Sequence, residues 1–252
     1  MSKAFQPQKD SKGDKTLARY VFEARFTDRL IPFFDQRGQT LEKLLKSFGL
    51  DRYVINDDRI EATDSDQRLK VFFSSSNFGF QLEGSQRLEE FSETASRLIS
   101  VIQQSEIAKG RLILRFGTKS EVYFHPGGKS FADIKDKYLE KIFVGISAIE
   151  SAIGATVGDV GVANLTLRDS KNRLMGITTG PMEVKQITSV PFFSSQAVLK
   201  NKSSVAPSGI YLSIDLSTVG KGLTTDDLGS VSDEQINSLN ESIEKFTSWL
   251  ME

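Results

Sequence analysis

The chain has 252 residues, 38% of them hydrophobic and 26% charged, and its 32 Lys and Arg against 33 Asp and Glu leave a formal net charge of -1. A chain of this length buries roughly 70 to 75% of its unfolded surface and holds a core without disulfides or metals. Balanced charge supplies no global field for a polyanion, and the lack of any cysteine removes disulfides, thiolate nucleophiles and thiolate zinc sites.

Residues 1–16, MSKAFQPQKDSKGDKT, are polar, lack the apolar stretch of a signal peptide and read as a flexible tail. From Leu17, LARYVFEARF alternates and is rich in β-branched and aromatic residues, which predicts a strand. A helix follows: Leu41, Leu44, Leu45 and Phe48 recur at helical spacing, and Gly49 is placed to end it in a left-handed conformation. RYVIN, RIEAT and QRLKVFFSSSNFGFQLEG then carry a period-two pattern for three strands, with Asp57, Asp58, Asp64 and Asp66 in the connecting turns. SQRLEEFSETASRLISVIQ places Leu88, Phe91, Ala95, Leu98 and Ile102 on one face of an amphipathic helix.

The remainder runs through the same order. GRLILRFGTKSEVYF is a long strand or hairpin, and residues 130–154 read as a helix opened by the capping pair Ser130 and Asp133. Strands are placed at DVGVANLTLRD, RLMGITTG, EVKQITS and GIYLSIDLS. The last helix is capped by Ser232 with Gln235 and turns Ile236, Leu239, Ile243, Phe246 and Leu250 inward. The predicted class is α+β: two similar halves, 17–106 and 107–252, each an antiparallel-rich sheet with helices packed on one face, with duplication as the economical origin. No run approaches about 18 apolar residues, so no membrane span is expected and the cytoplasm is the default compartment.

The stretches YVFEARF, GRLILRFG and GIYLSIDLS, the last followed by a polar loop and a helix containing SIEKF, resemble those of a sporadically distributed family of uncharacterised bacterial proteins with a duplicated α+β element order. The resemblance covers the chain from about residue 17. It implies a soluble bacterial protein without an enzyme signature, with a defence or toxin-neutralising system as its setting. No site residue is carried over from it.

His125 is the one histidine, and HPGG around it has the chemistry of a turn. If it is chemical instead, Asp215, an acid inside the apolar strand YLSIDLS, is the carboxylate it would work with, in a ligand-binding or hydrolytic site between the halves. Lys129 and Ser130 stand at a helix start where backbone N–H groups could hold an anion. GTKS at 117–120 lacks the spacing of a phosphate-binding loop, and GATVGDVG at 154–161 lacks that of a dinucleotide loop and reads as a helix stop and turn. A calcium loop from Asp64 would want glycine where Leu69 stands and glutamate where Ser75 stands. Asp226 and Asp227 read as turn residues like the earlier aspartates.

Arg19, Arg25, Arg111 and Arg115 share strands with Phe22, Phe26 and Phe116, a combination that could serve nucleic acid; parity, however, sends Phe22 and Phe26 to one face and Arg19 and Arg25 to the other. Phe192 and Phe193, in the long stretch 189–209, are candidate partner anchors. The reading is a non-enzymatic protein that binds another macromolecule, a protein before a nucleic acid, with no cofactor or metal and no membrane contact. The hydrolytic site and nucleic-acid binding stand as its alternatives.

Overall fold

A computed structural model describes residues 17–84, 88–126, 130–143, 150–152, 162–169, 171–183, 185–186 and 208–251. The alternating aromatic stretch forms β1 (Leu17–Phe26), followed by α1 (Phe33–Phe48), β2 (Arg52–Ile55), β3 (Arg59–Thr63), β4 (Leu69–Ser74), β5 (Asn77–Glu83) and α2 (Leu88–Gln103). The chain continues through β6 (Ile113–Phe124), α3 (Phe131–Ile142), β7 (Ala163–Arg168), β8 (Leu174–Glu183), β9 (Ser208–Val219) and α4 (Leu228–Met251). The class is α+β.

The nine strands of the described residues belong to one sheet in the order β2-β3-β4-β5-β1-β6-β9-β8-β7, and every pairing is antiparallel. The sheets expected for the two halves are therefore a single sheet, joined where β1 runs against β6 from Leu17↔Tyr123 to Phe26↔Ile113. Each strand's period of two sorts its side chains onto two faces. On β1 the even positions Ala18, Tyr20, Phe22, Ala24 and Phe26 are all buried. Register places Phe22 between Phe80 and Thr118, so this face is continuous across the sheet.

Helices α1, α2, α3 and α4 cover that face. Phe91 of α2 stacks on Tyr20 at 5.0 Å and lies 5.4 Å from Phe80. Phe33 of α1 meets Phe73 edge-on at 5.4 Å, and each such pair adds about 0.5–1.5 kcal/mol beyond its buried area. Tyr138 of α3 donates to the Thr179 carbonyl at 2.6 Å. Gln235 of α4 donates to the Leu216 carbonyl at 2.6 Å, so a polar residue on a buried helix face is satisfied by the sheet beneath it. Gly79 is required by close approach: a Cβ there would lie 2.1 Å from the Phe22 carbonyl oxygen.

Four boundaries differ from the sequence reading. QRLKVFFSSSNFGFQLEG is two strands, because Ser74 Oγ accepts from the backbone N–H of Ser76 and Asn77 at 3.1 and 2.9 Å and closes a turn. GRLILRFGTKSEVYF is one strand from Ile113 onward, with a β-bulge where its register against β1 slips between Arg25 and Phe26. Within the helix predicted over 130–154, α3 ends at Ile142 with its Ser130–Asp133 cap present as expected; residues 150–152 are helical, and 144–149 and 153–154 lie outside the described ones. The last helix starts at Leu228, so Ser232 and Gln235 are buried inside it, and the reciprocal cap is Thr224 with Asp227 on the preceding 3-10 turn. GATVGDVG and most of EVKQITS fall outside the described residues. Among the described residues no helix is long and apolar enough to cross a membrane.

Candidate functional site

The odd positions of β1, and those of β6 from Arg115 onward, point away from the helices and carry the charge of the central sheet. Cross-strand register builds rows from them. One row runs Glu83, Arg19, Glu121, Ser213. Two residues along come Val21, Lys119, Asp215 and Gly176, then Gly79, Glu23, Gly117 and Ser217, then Asn77, Arg25, Arg115 and Val219.

The first row is buried although it is charged. Glu121 is 0% exposed and Glu83 1%. Arg19 donates to Glu121 through Nε, pairs with it through Nη2, and holds Nη1 4.0 Å from Glu83. Tyr211 donates its hydroxyl to Glu121 at 2.8 Å, and Lys119 Nζ stands 2.9 Å from the same carboxylate. Burial, the Glu121 charge and that hydrogen bond push the Tyr211 phenol upward, so it stays a neutral donor. Such a row pairs opposite charges across strands and fixes the strands at the centre of the sheet.

Further along the same face the surface opens into a depression of about 210 Å³, lined by Val21, Glu23, Arg25, Arg115, Gly117 and Lys119 together with Asp215. Gly117 makes its floor: a Cβ there would meet nothing nearer than the Leu216 carbonyl oxygen at 3.7 Å. Glu23 accepts from Arg25 Nε and Asn77 Nδ2, both at 2.8 Å. Burial alone would raise its carboxyl. The hydrogen bonds from Arg25 and Asn77, with the charges of Arg25 and Arg115, outweigh that and hold it below the usual carboxylate range.

Arg25 and Arg115 are direct cross-strand partners. Like charges so placed are destabilising. Arg25 is partly neutralised by Glu23, whereas Arg115 is exposed and makes no hydrogen bond or ion pair among the described residues. The bulge lies beside this pair, a position where β-bulges commonly re-aim side chains next to functional sites. Leu114 and Val219 flank it at 52% and 67% exposure, and Gly220 N donates to the Leu114 carbonyl at 2.9 Å, which ties the two segments together.

Of the residues singled out from sequence, Arg25, Arg115 and Asp215 line the depression, and the others described do not meet there. His125 follows β6 and donates from Nδ1 to the Ser208 carbonyl at the start of β9 at 2.7 Å. Asp215 lines the depression, six residues back along the paired strands, about 20 Å away by strand rise. Ser130 Oγ is taken up by the α3 cap, accepting from Asp133 N at 3.2 Å. Lys129, Phe192 and Phe193 lie outside the described residues. Asp64 accepts from Leu69 N at 3.1 Å and Asp227 from Thr224 N at 2.9 Å, both in local turns. Among the described residues no three His, Asp or Glu side chains are grouped to hold a metal ion.

Sequence reasoning named Arg25 and Arg115 but could not pair them, and it missed Glu83 and Glu121 altogether. The one available signal was the alternation of Arg115, Gly117 and Lys119, two cations with a gap between. Fold and site together define an α+β protein with one antiparallel sheet, four described helices on one face, and a charged, partly aliphatic surface on the other. No protein-family model and no curated protein matches the chain.

Proposed function

We propose that the chain is a non-enzymatic interaction protein that binds another macromolecule on the sheet face turned away from its helices. The observation that carries this reading is the directly opposed pair Arg25 and Arg115 beside exposed Leu114 and Val219. Opposed like charges and exposed aliphatic side chains both cost free energy in the isolated chain, and both costs are relieved by a partner that covers them. The separation of His125 from Asp215 argues against the hydrolytic alternative. The alignment of Arg115 and Lys119 favours nucleic acid as a second reading, but Glu23 and Asp215 line the same depression and would repel phosphates.

The two halves are part of the proposal. β1 and β6, the first strand of each half, lie side by side at the centre, each flanked by the last strand of its own half, β5 and β9, with the other strands outward. That order supports a duplicated scaffold. The family resemblance adds a bacterial setting in a defence or toxin-neutralising system, the cytoplasm stays the default compartment, and Phe192 and Phe193 are kept as a second contact.

The test is native mass spectrometry of the protein purified from its own cells at low salt, wild type beside Arg115→Glu. A stoichiometric protein companion that the variant loses supports the reading. A companion that both retain places the contact elsewhere, and a retained small molecule or nucleic acid overturns it.

A further inference from the structure

On the reading that this sheet face docks a macromolecule, we infer that the docked part is an extended protein segment carrying carboxylates next to aliphatic side chains, received between Arg25 and Arg115. Charge is the first reason. Arg115 makes no hydrogen bond or ion pair among the described residues, and it shares with Arg25, which opposes it across the strand pair, the charge of Glu23 that Arg25 already binds. A carboxylate set between two guanidinium groups accepts from both and converts their repulsion into charge-assisted hydrogen bonds.

Spacing is the second reason. Arg115, Gly117 and Lys119 share one face of β6, and alternate residues of a strand stand about 6.8 Å apart. An extended segment lying along β6 has that same repeat. It would set acids over Arg115 and toward Lys119, with Gly117 leaving room for the chain between. Lys119 already contacts Glu121 at 2.9 Å and is the weaker of the two cations for this purpose.

The neighbours decide the class of partner. Leu114 and Val219 reward aliphatic side chains next to the acid. Glu23 and Asp215 line the depression and no aromatic ring does, so a phosphate backbone meets two carboxylates and its bases find no stacking surface. A protein segment can place its acids selectively, whereas a nucleic acid carries a charge at every step.

The experiment uses the full chain with p-benzoylphenylalanine in place of Leu114 and, separately, of Val219, irradiated in its own cells, and the crosslinked segment is sequenced by mass spectrometry. That segment is then synthesised and its binding followed by fluorescence anisotropy at low and high salt. The expected segment has Asp and Glu in excess over Lys and Arg and contains aliphatic residues. Its affinity falls about ten- to hundredfold in Arg115→Glu, the range of one charge-assisted contact, and less in Arg115→Lys. A neutral or basic protein segment overturns the acidic inference and leaves the interaction reading standing. Crosslinks to nucleic acid, to a second copy of this chain, or to nothing from either position overturn both.

Discussion

Replacing Glu121 with leucine should unfold the protein more readily than its location on a sheet face would suggest. The carboxylate is fully buried and receives Arg19, the Tyr211 hydroxyl and Lys119. Removing one partner of a buried ion pair costs about 3–5 kcal/mol, because the other charge stays behind without compensation. The lost Tyr211 hydrogen bond adds about 1 kcal/mol. Against this, Arg19 keeps Glu83 at 4.0 Å, and Lys119 is exposed enough that its pairing adds little. The expected net loss is about 3 kcal/mol, or roughly 1 M in the urea midpoint at a slope near 3 kcal/mol/M. The quadruple variant Arg19→Met, Glu83→Gln, Glu121→Leu, Tyr211→Phe removes the buried partners that the single change strands and, with them, the Glu83 charge that losing Arg19 would strand. It should recover most of the loss, since buried pairs exchanged for apolar isosteres are often neutral. Equilibrium urea unfolding followed by circular dichroism reads both. A single-variant cost below about 1 kcal/mol, or a quadruple variant as unstable as the single one, would refute the account of this row as a cross-strand charge network.

Arg115→Glu should stabilise the free protein by about 0.2–1 kcal/mol, because it places an acid opposite Arg25; a lowered melting midpoint would show that the arginine pair is not a cost. Gly79→Ala should lose about 3 kcal/mol or fail to accumulate, since backbone lies where the Cβ must go; soluble yield and urea midpoint check it, and a wild-type midpoint contradicts the close packing. Glu23 links stability to pH. Its carboxyl is depressed in the folded protein, so its contribution is present above the ordinary glutamate value of about 4.3 and is lost as pH falls through the lower folded value. Glu23→Gln should therefore flatten the acid limb of a stability profile below about pH 4.3 and leave its slope near neutrality unchanged; an unchanged acid limb counts against the assignment.

Much of the fold was legible where period and burial agree. Leu88, Phe91, Ala95, Leu98 and Ile102 were read as one helix face, and all but the half-buried Leu88 are buried in α2. The last helix was misread at its start because two segments fit the capping pattern. Ser232 with Gln235 and Thr224 with Asp227 have the same form, and the choice is made by tertiary burial of Leu228, which no local pattern contains. The β4–β5 turn was missed because Ser75 and Ser76 stand where a glycine or asparagine usually announces one. The site was legible in its residues and not in its arrangement. Parity tells which face Arg25 and Arg115 occupy, but their pairing across about 90 residues is set by register, and register is fixed only when the whole sheet forms. Glu121 was passed over for a related reason: an acid at an alternating position reads as solvent-facing, and its burial comes from partners distant in the chain.

The seam between β1 and β6 also makes the order of synthesis matter. β5 closes on one side of β1 by Glu83, but the strand that closes the other side is not complete until Phe124, about 40 residues later. At the usual pace of translation that is roughly 2 to 8 seconds in which β1 hangs from the ribosome with a bare edge. A bare strand edge invites pairing with neighbouring nascent chains, and charged side chains discourage it. Arg19, Glu23 and Arg25 stand along that strand, so the side chains that later build the ion row and the depression first act as guards of an unfinished molecule.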